Sequence, residues 1–141
     1  MPDPPIRLIT FDLDDTLWPC APVIGAAEEA LHRWLRAEAP LLAEAHDLAS
    51  LRQHRRRIME QEPEIAHDLG LVRLRSLTGL LEVFGYPRRL AEEGLAVFRE
   101  HRNRVAPYAD VAPALRALGR RFLLVAVTIG NADVEQSSLC G

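Results

Sequence analysis

Two carboxylates one residue apart, Asp12 and Asp14, follow the apolar run Ile6-Arg7-Leu8-Ile9-Thr10-Phe11. In an extended segment alternate side chains point to the same side, so both acids can approach one ligand while Leu13 packs the other way. The chemistry this suits is phosphoryl transfer. One carboxylate attacks phosphorus and forms an aspartyl-phosphate, which splits one hard displacement into two easier ones. The other protonates the leaving oxygen and then takes a proton from the attacking water. A hard cation such as Mg²⁺, held by carboxylate and carbonyl oxygens, would offset the repulsion between nucleophile and phosphate. Asp-rich segments also cap turns, and an Asp-x-Asp pair alone fits either role. Thr128 ends a second apolar run, 122–127, where its hydroxyl can donate to a phosphate oxygen or be satisfied locally. Backbone N–H groups from Ile129 to Asn131 can add to it, Gly130 permitting close approach.

The elements that must position these residues are legible in the periodicity. The runs 6–11 and 122–127 read as buried strands that deliver polar groups at their carboxyl ends, where open α/β sheets bind ligands. Leu17-Trp18-Pro19 turns the chain away from the first strand, since proline cannot continue the ladder. Four helices are expected next. The first carries Val23, Ala27, Ala30, Leu31, Trp34 and Leu35. The second, after Pro40, carries Leu41, Leu42, Ala45, Leu48 and Ala49. The third carries Ile65, Leu69, Val72, Leu77, Leu80 and Phe84, with Gly85 as its stop; the fourth follows Pro87 with Leu90, Leu95 and Phe98. A short helix over 110–118 precedes the second strand. The order predicts a parallel strand pair in an α/β core, residues 1–18 and 105–141, interrupted by a helical bundle over 19–104.

The chain has 141 residues, 48% hydrophobic and 26% charged, a globular balance. No apolar run approaches the roughly 18 residues of a membrane span. No secretory signal is read at the N-terminus, so a cytoplasmic protein with no membrane association is expected. A net charge of −3 argues against a nucleic-acid partner, and Arg55-Arg56-Arg57 reads as a solvated helix face. Cys20 and Cys140 offer neither a disulfide framework nor metal-ligand spacing. All 17 basic residues are arginine.

Phe11-Asp12-Leu13-Asp14-Asp15-Thr16-Leu17 closely resembles the first motif of the haloacid dehalogenase superfamily, and Val127-Thr128-Ile129-Gly130-Asn131-Ala132 resembles the second, with Ile129 where Asn is usual. The helical insert looks like the C1-type cap of the first subclass, on a Rossmann-like core. Within it, Glu62-Pro63-Glu64-Ile65, His67-Asp68 and Arg73-Leu74-Arg75-Ser76 are similar to bacterial flavin-pathway phosphatases, which act on 5-amino-6-(5-phosphoribitylamino)uracil and FMN; Arg102-Asn103-Arg104-Val105 fits the same group. The resemblance spans nearly the whole chain to about Glu135. It implies a Mg²⁺-dependent phosphatase acting on a small phosphorylated metabolite. Asp12 is then nucleophile and metal ligand, and Asp14 is acid/base, its carbonyl also touching the metal. Thr128, Gly130 and Asn131 bind phosphate, and His67, Arg73 and Arg75 select the substrate.

A dehalogenase needs no acid two residues beyond its nucleophile, so Asp14 favours phosphatase chemistry. The family's third motif supplies a lysine, sometimes arginine, and its fourth supplies further acids; neither is found in the sequence. The expectation is an incomplete, C-terminally shortened core, with impaired metal binding and catalysis. A non-catalytic relic that binds a phosphorylated ligand or a partner protein is the alternative. A receiver-type phosphoacceptor domain ranks behind both, because receivers carry no helical bundle between their first strands.

Overall fold

The structure is a computed structural model that describes residues 5–128. The chain divides into two compact units. One holds the described residues up to Val23 and from Asn103 onward; the other is Ile24–Arg102.

In the first unit, β1 (Leu8–Phe11) and β2 (Leu123–Ala126) pair in parallel, with Leu8 opposite Leu123 and Phe11 opposite Ala126. The ladder extends one step past the strands, since Val127 N–H donates to the Phe11 carbonyl at 2.7 Å. Both strands are shorter than the apolar runs that announce them. Nor are they buried as expected: their residues are half-buried or exposed, and Leu8 and Leu123 are 47% and 64% exposed. β-Branched and apolar side chains build a strand whether or not both faces are covered. Among the described residues, only α6 (Val111–Gly119) packs against β2. The core of this unit gathers instead beyond the carboxyl end of β1. There Leu13, Leu17, Trp18, Val23 and Val111 are buried together, with Val105 and Leu115 against them.

The second unit is helical: α1 (Cys20–Glu38, which starts in the first unit), α2 (Pro40–Ala45), α3 (Leu48–Gln61), α4 (Leu69–Val83) and α5 (Arg89–Arg102). Five helices stand where four were expected. The helix expected after Pro40 splits at Asp47, whose side chain accepts from Ser50 N–H and so restarts the chain as α3. Asp68 does the same for α4 through Leu71 N–H, leaving Ile65 in a turn rather than on the helix. In both places an N-cap side chain overrides a continuous apolar period. Gly85 ends α4 as expected. At φ 75° it occupies the left-handed region, donating to the Glu82 carbonyl while Tyr86 donates to Leu81, the paired bonds of a Schellman motif. The core joins Leu31, Leu35, Leu42, Leu51, Leu77, Leu80, Leu81, Leu90 and Phe98. α5 comes close to α1 at Gly94, where a Cβ would lie 2.9 Å from the Trp34 ring.

Candidate active site

The chain leaves β1 and folds back on itself within seven residues. Leu17 and Thr16 N–H groups donate to the Leu13 carbonyl at 2.8 and 3.2 Å, and Asp15 N–H donates to the Trp18 carbonyl at 2.8 Å. These bonds bring residue 18 beside residue 14 as an isolated parallel bridge. The reversal places Asp15 at φ 58°, in the left-handed region that Asp tolerates better than most residues. Asp15 Oδ1 accepts from Cys20 N–H, at the start of α1, at 2.8 Å. Of the three acids, Asp15 is thus the one that caps.

Asp12 lies one residue beyond β1 and is exposed, Leu13 is buried as expected, and Asp14 is half-buried. Trp18, fully buried, donates its indole N–H to Asp14 Oδ1 at 2.9 Å. The connector that leads into α6 ties to the same loop, through Tyr108 N–H to the Leu17 carbonyl at 3.0 Å. Thr128 lies two residues beyond β2 and is half-buried. Because β1 and β2 are neighbours in parallel, the register brings the acidic loop and Thr128 to the same end of the pair. Gly130 and Asn131 lie outside the described residues.

Among the described residues no three His, Cys, Asp or Glu side chains form a metal cluster. Magnesium nonetheless takes one or two protein carboxylates and fills its octahedron with waters and phosphate oxygens. The hard oxygen donors of Asp12 and Asp14 fit that pattern in type.

The three substrate-selecting candidates take different positions. His67 is exposed in the turn before α4. Arg73 and Arg75, two residues apart on a helix, point about 200° apart. Arg75 is exposed and pairs with Glu62 at 3.1 Å. It borders a groove of about 500 Å³ with Leu71, Leu74, Thr78 and Arg88. Arg73 is buried, with its guanidinium 3.5 Å from the centroid of the Phe98 ring and 3.7 Å from Glu28. Such packing is that of an interior side chain.

The centre that sequence reasoning missed is Glu28. It is 5% exposed and accepts from Arg52 Nε at 2.6 Å and from Arg55 Nη2, with Arg73 beyond. Arg55 therefore turns inward and is not part of a solvated face, a correction to the reading of the basic run. Burial lowers the pKa of Arg55 and of Arg73 against the pull of Glu28, whereas the hydrogen bond to Glu28 raises that of Arg52. The signal was present: Glu28 sits three residues before Leu31 and seven before Leu35, on the buried face of α1. On α3, His54 Nδ1 shares a 2.8 Å hydrogen bond with the buried Ser76 hydroxyl. Burial, then His46 and Arg57, lowers the His54 pKa.

No family model matches the chain. It is 34% identical over 136 residues to the 5-amino-6-(5-phospho-D-ribitylamino)uracil phosphatase YigB of Escherichia coli (strain K12), covering 92% of this chain and 56% of that protein. A solved 2-haloacid dehalogenase from Pseudomonas syringae pv. Tomato DC3000 superposes with a TM-score of 0.81 at 40% identity, over 93% of this chain and 58% of that one. The putative HAD-hydrolase YfnB of Bacillus subtilis, solved bound to magnesium, shares the fold at a TM-score of 0.51 and 20% identity, over 93% of this chain and 56% of that one. The chain thus spans a little over half the length of these relatives.

Proposed function

Since this chain belongs to the haloacid dehalogenase superfamily, we propose that it is a Mg²⁺-dependent phosphatase acting on a small phosphorylated metabolite in the cytoplasm. The observation that carries this reading is the pair Asp12 and Asp14 on one reversing loop at the carboxyl end of β1, beside the strand that ends at Thr128. An Asp12 oxygen attacks phosphorus and the ester P–O bond breaks. Asp14 delivers its proton to the departing oxygen. Water then displaces the Asp12 oxygen from phosphorus, giving up a proton to Asp14 and releasing inorganic phosphate. Asp12 and the Asp14 carbonyl would hold Mg²⁺, which would offset the charge between nucleophile and phosphate. Thr128, Gly130 and Asn131 hold the phosphate oxygens. His67 and Arg75, both exposed, remain the substrate-selecting candidates of the cap, whereas the interior packing of Arg73 fits a structural role.

Similarity to a phosphatase of 5-amino-6-(5-phospho-D-ribitylamino)uracil supports that ester as the substrate to try first, with FMN, which the resemblance of the cap segments suggests, beside it. Similarity to a 2-haloacid dehalogenase raises the other outcome. Carbon–halogen displacement ends in a halide that needs no proton, so an acid held two residues after the nucleophile favours the phosphate ester. The test is hydrolysis of p-nitrophenyl phosphate, flavin-pathway phosphates and a 2-haloacid by the wild-type chain and by Asp12→Asn, with and without Mg²⁺. Phosphate release that needs both Asp12 and Mg²⁺ supports the reading; turnover indifferent to Asp12, or halide release alone, refutes it. A second reading, a phosphate-binding chain without turnover, rests on the absence of any lysine to hold nucleophile and phosphate together. Calorimetric binding of inorganic phosphate with no hydrolysis would select it.

A further inference from the structure

We propose that Trp18 is a positioning residue for Asp14, holding its carboxyl group in one orientation. The inference rests on the phosphatase reading and on the assignment of Asp14 as its acid/base.

An indole N–H can only donate. In the 2.9 Å contact with Trp18 Nε1, Asp14 Oδ1 is therefore an acceptor, whether the carboxyl is ionised or protonated. The contact therefore sets the orientation of the carboxyl plane about the Cβ–Cγ bond. Protein carboxyl groups otherwise exchange the two oxygens by rotation about the Cβ–Cγ bond, a broad and shallow torsion. Here that rotation is opposed by a donor that cannot itself turn away. Trp18 is fully buried among Leu13, Leu17, Val23 and Val111, and its backbone is bound to residue 15. The same bonds that reverse the chain at Asp15 bring the indole beside Asp14, so loop path and carboxylate orientation have one cause. A tryptophan so enclosed contributes to folding through its ring. Its N–H, directed at the acid, is the group that serves the chemistry.

The test removes the N–H and keeps the ring. Trp18→Phe does this approximately. Replacing Trp18 by β-(3-benzothienyl)alanine, in which sulfur takes the place of N–H in the same bicyclic outline, does it with almost no change of shape and guards against a phenylalanine variant that fails to fold. In the full chain kcat for p-nitrophenyl phosphate should fall about tenfold in both variants with KM within about twofold, since a displaced acid affects the chemical step and not ground-state binding. In the ¹H–¹⁵N spectrum Asp14→Ala should shift the Trp18 indole signal and leave the Trp34 signal in place. Wild-type turnover with kcat unchanged in the folded benzothienyl variant overturns this inference and leaves the phosphatase reading standing. So does an indole signal indifferent to Asp14→Ala. A wild-type chain with no Asp12-dependent turnover overturns the phosphatase reading, and this inference with it.

Discussion

At the carboxyl end of β1 an indole N–H donates to Asp14 and a backbone N–H to Asp15, while Asp12 stands exposed. In the helical unit the arrangement is inverted. One carboxylate, Glu28, is buried and faces three guanidiniums, one of them stacked on Phe98. The residue types are ordinary in both regions; partners and burial separate them. A buried carboxylate ringed by arginines has its charge neutralised many times over, and it serves to hold α1, α3 and α4 in one arrangement. Perturbed ionisation points the same way. The shifts of Arg52, Arg55, Arg73 and His54 arise from packing and ion pairing inside the helical unit.

This contrast can be broken by substitution. The largest effect is expected at Asp12: Asn there should lower phosphate-ester hydrolysis by at least about a thousandfold while the melting temperature stays within about two degrees. Glu28→Gln should do the opposite. It leaves three cations without their counter-charge and should cost about 3 kcal/mol in urea unfolding, with turnover per folded molecule unchanged. A cost under about 1 kcal/mol would mean that Glu28 is no keystone. Arg73→Met keeps volume beside Phe98 and leaves Glu28 with Arg52 and Arg55, so its effect should stay within about 1 kcal/mol of wild type. The smallest effect is the pH response of His54. Its folded pKa lies below the ordinary 6.5, so the unfolded chain takes up the proton more readily as pH falls. The stability tied to neutral His54 is complete above that ordinary value and is lost on acidification through it. Melting temperatures followed from about pH 7.5 to about pH 5.5 should fall less in His54→Asn than in wild type. Equal slopes would show that other groups carry the acid response.

The strands, their parallel pairing and the acidic loop were legible because each depends on local pattern: a β-branched run, a sharp change to polar residues, and a motif whose spacing is itself the chemistry. Leu13 illustrates this, its inward packing following from simple alternation. Burial of the strands was not legible, because it depends on what covers a face and not on what the strand contains. The two extra helix boundaries were missed for a different reason. Asp47 and Asp68 act through one hydrogen bond each, which apolar periodicity averages away. Glu28 and Arg55 were overlooked because charged residues are exposed by default. Only their register with Leu31, Leu35 and Leu51 revealed the inward direction. Trp18 read as part of a turn, and nothing in the spacing of residues 14 and 18 announces that the chain reverses to join them.

The chain has two tryptophans, and the division of the fold places one in each unit: Trp18 in the strand-bearing unit and Trp34 against the helical core. Emission from the two indoles is therefore a pair of independent optical probes already installed. With Trp34 replaced by phenylalanine the remaining fluorescence follows the loop that carries Asp14; with Trp18 replaced it follows the bundle. Denaturation curves from the two singly labelled chains then tell whether the halves melt together or in turn.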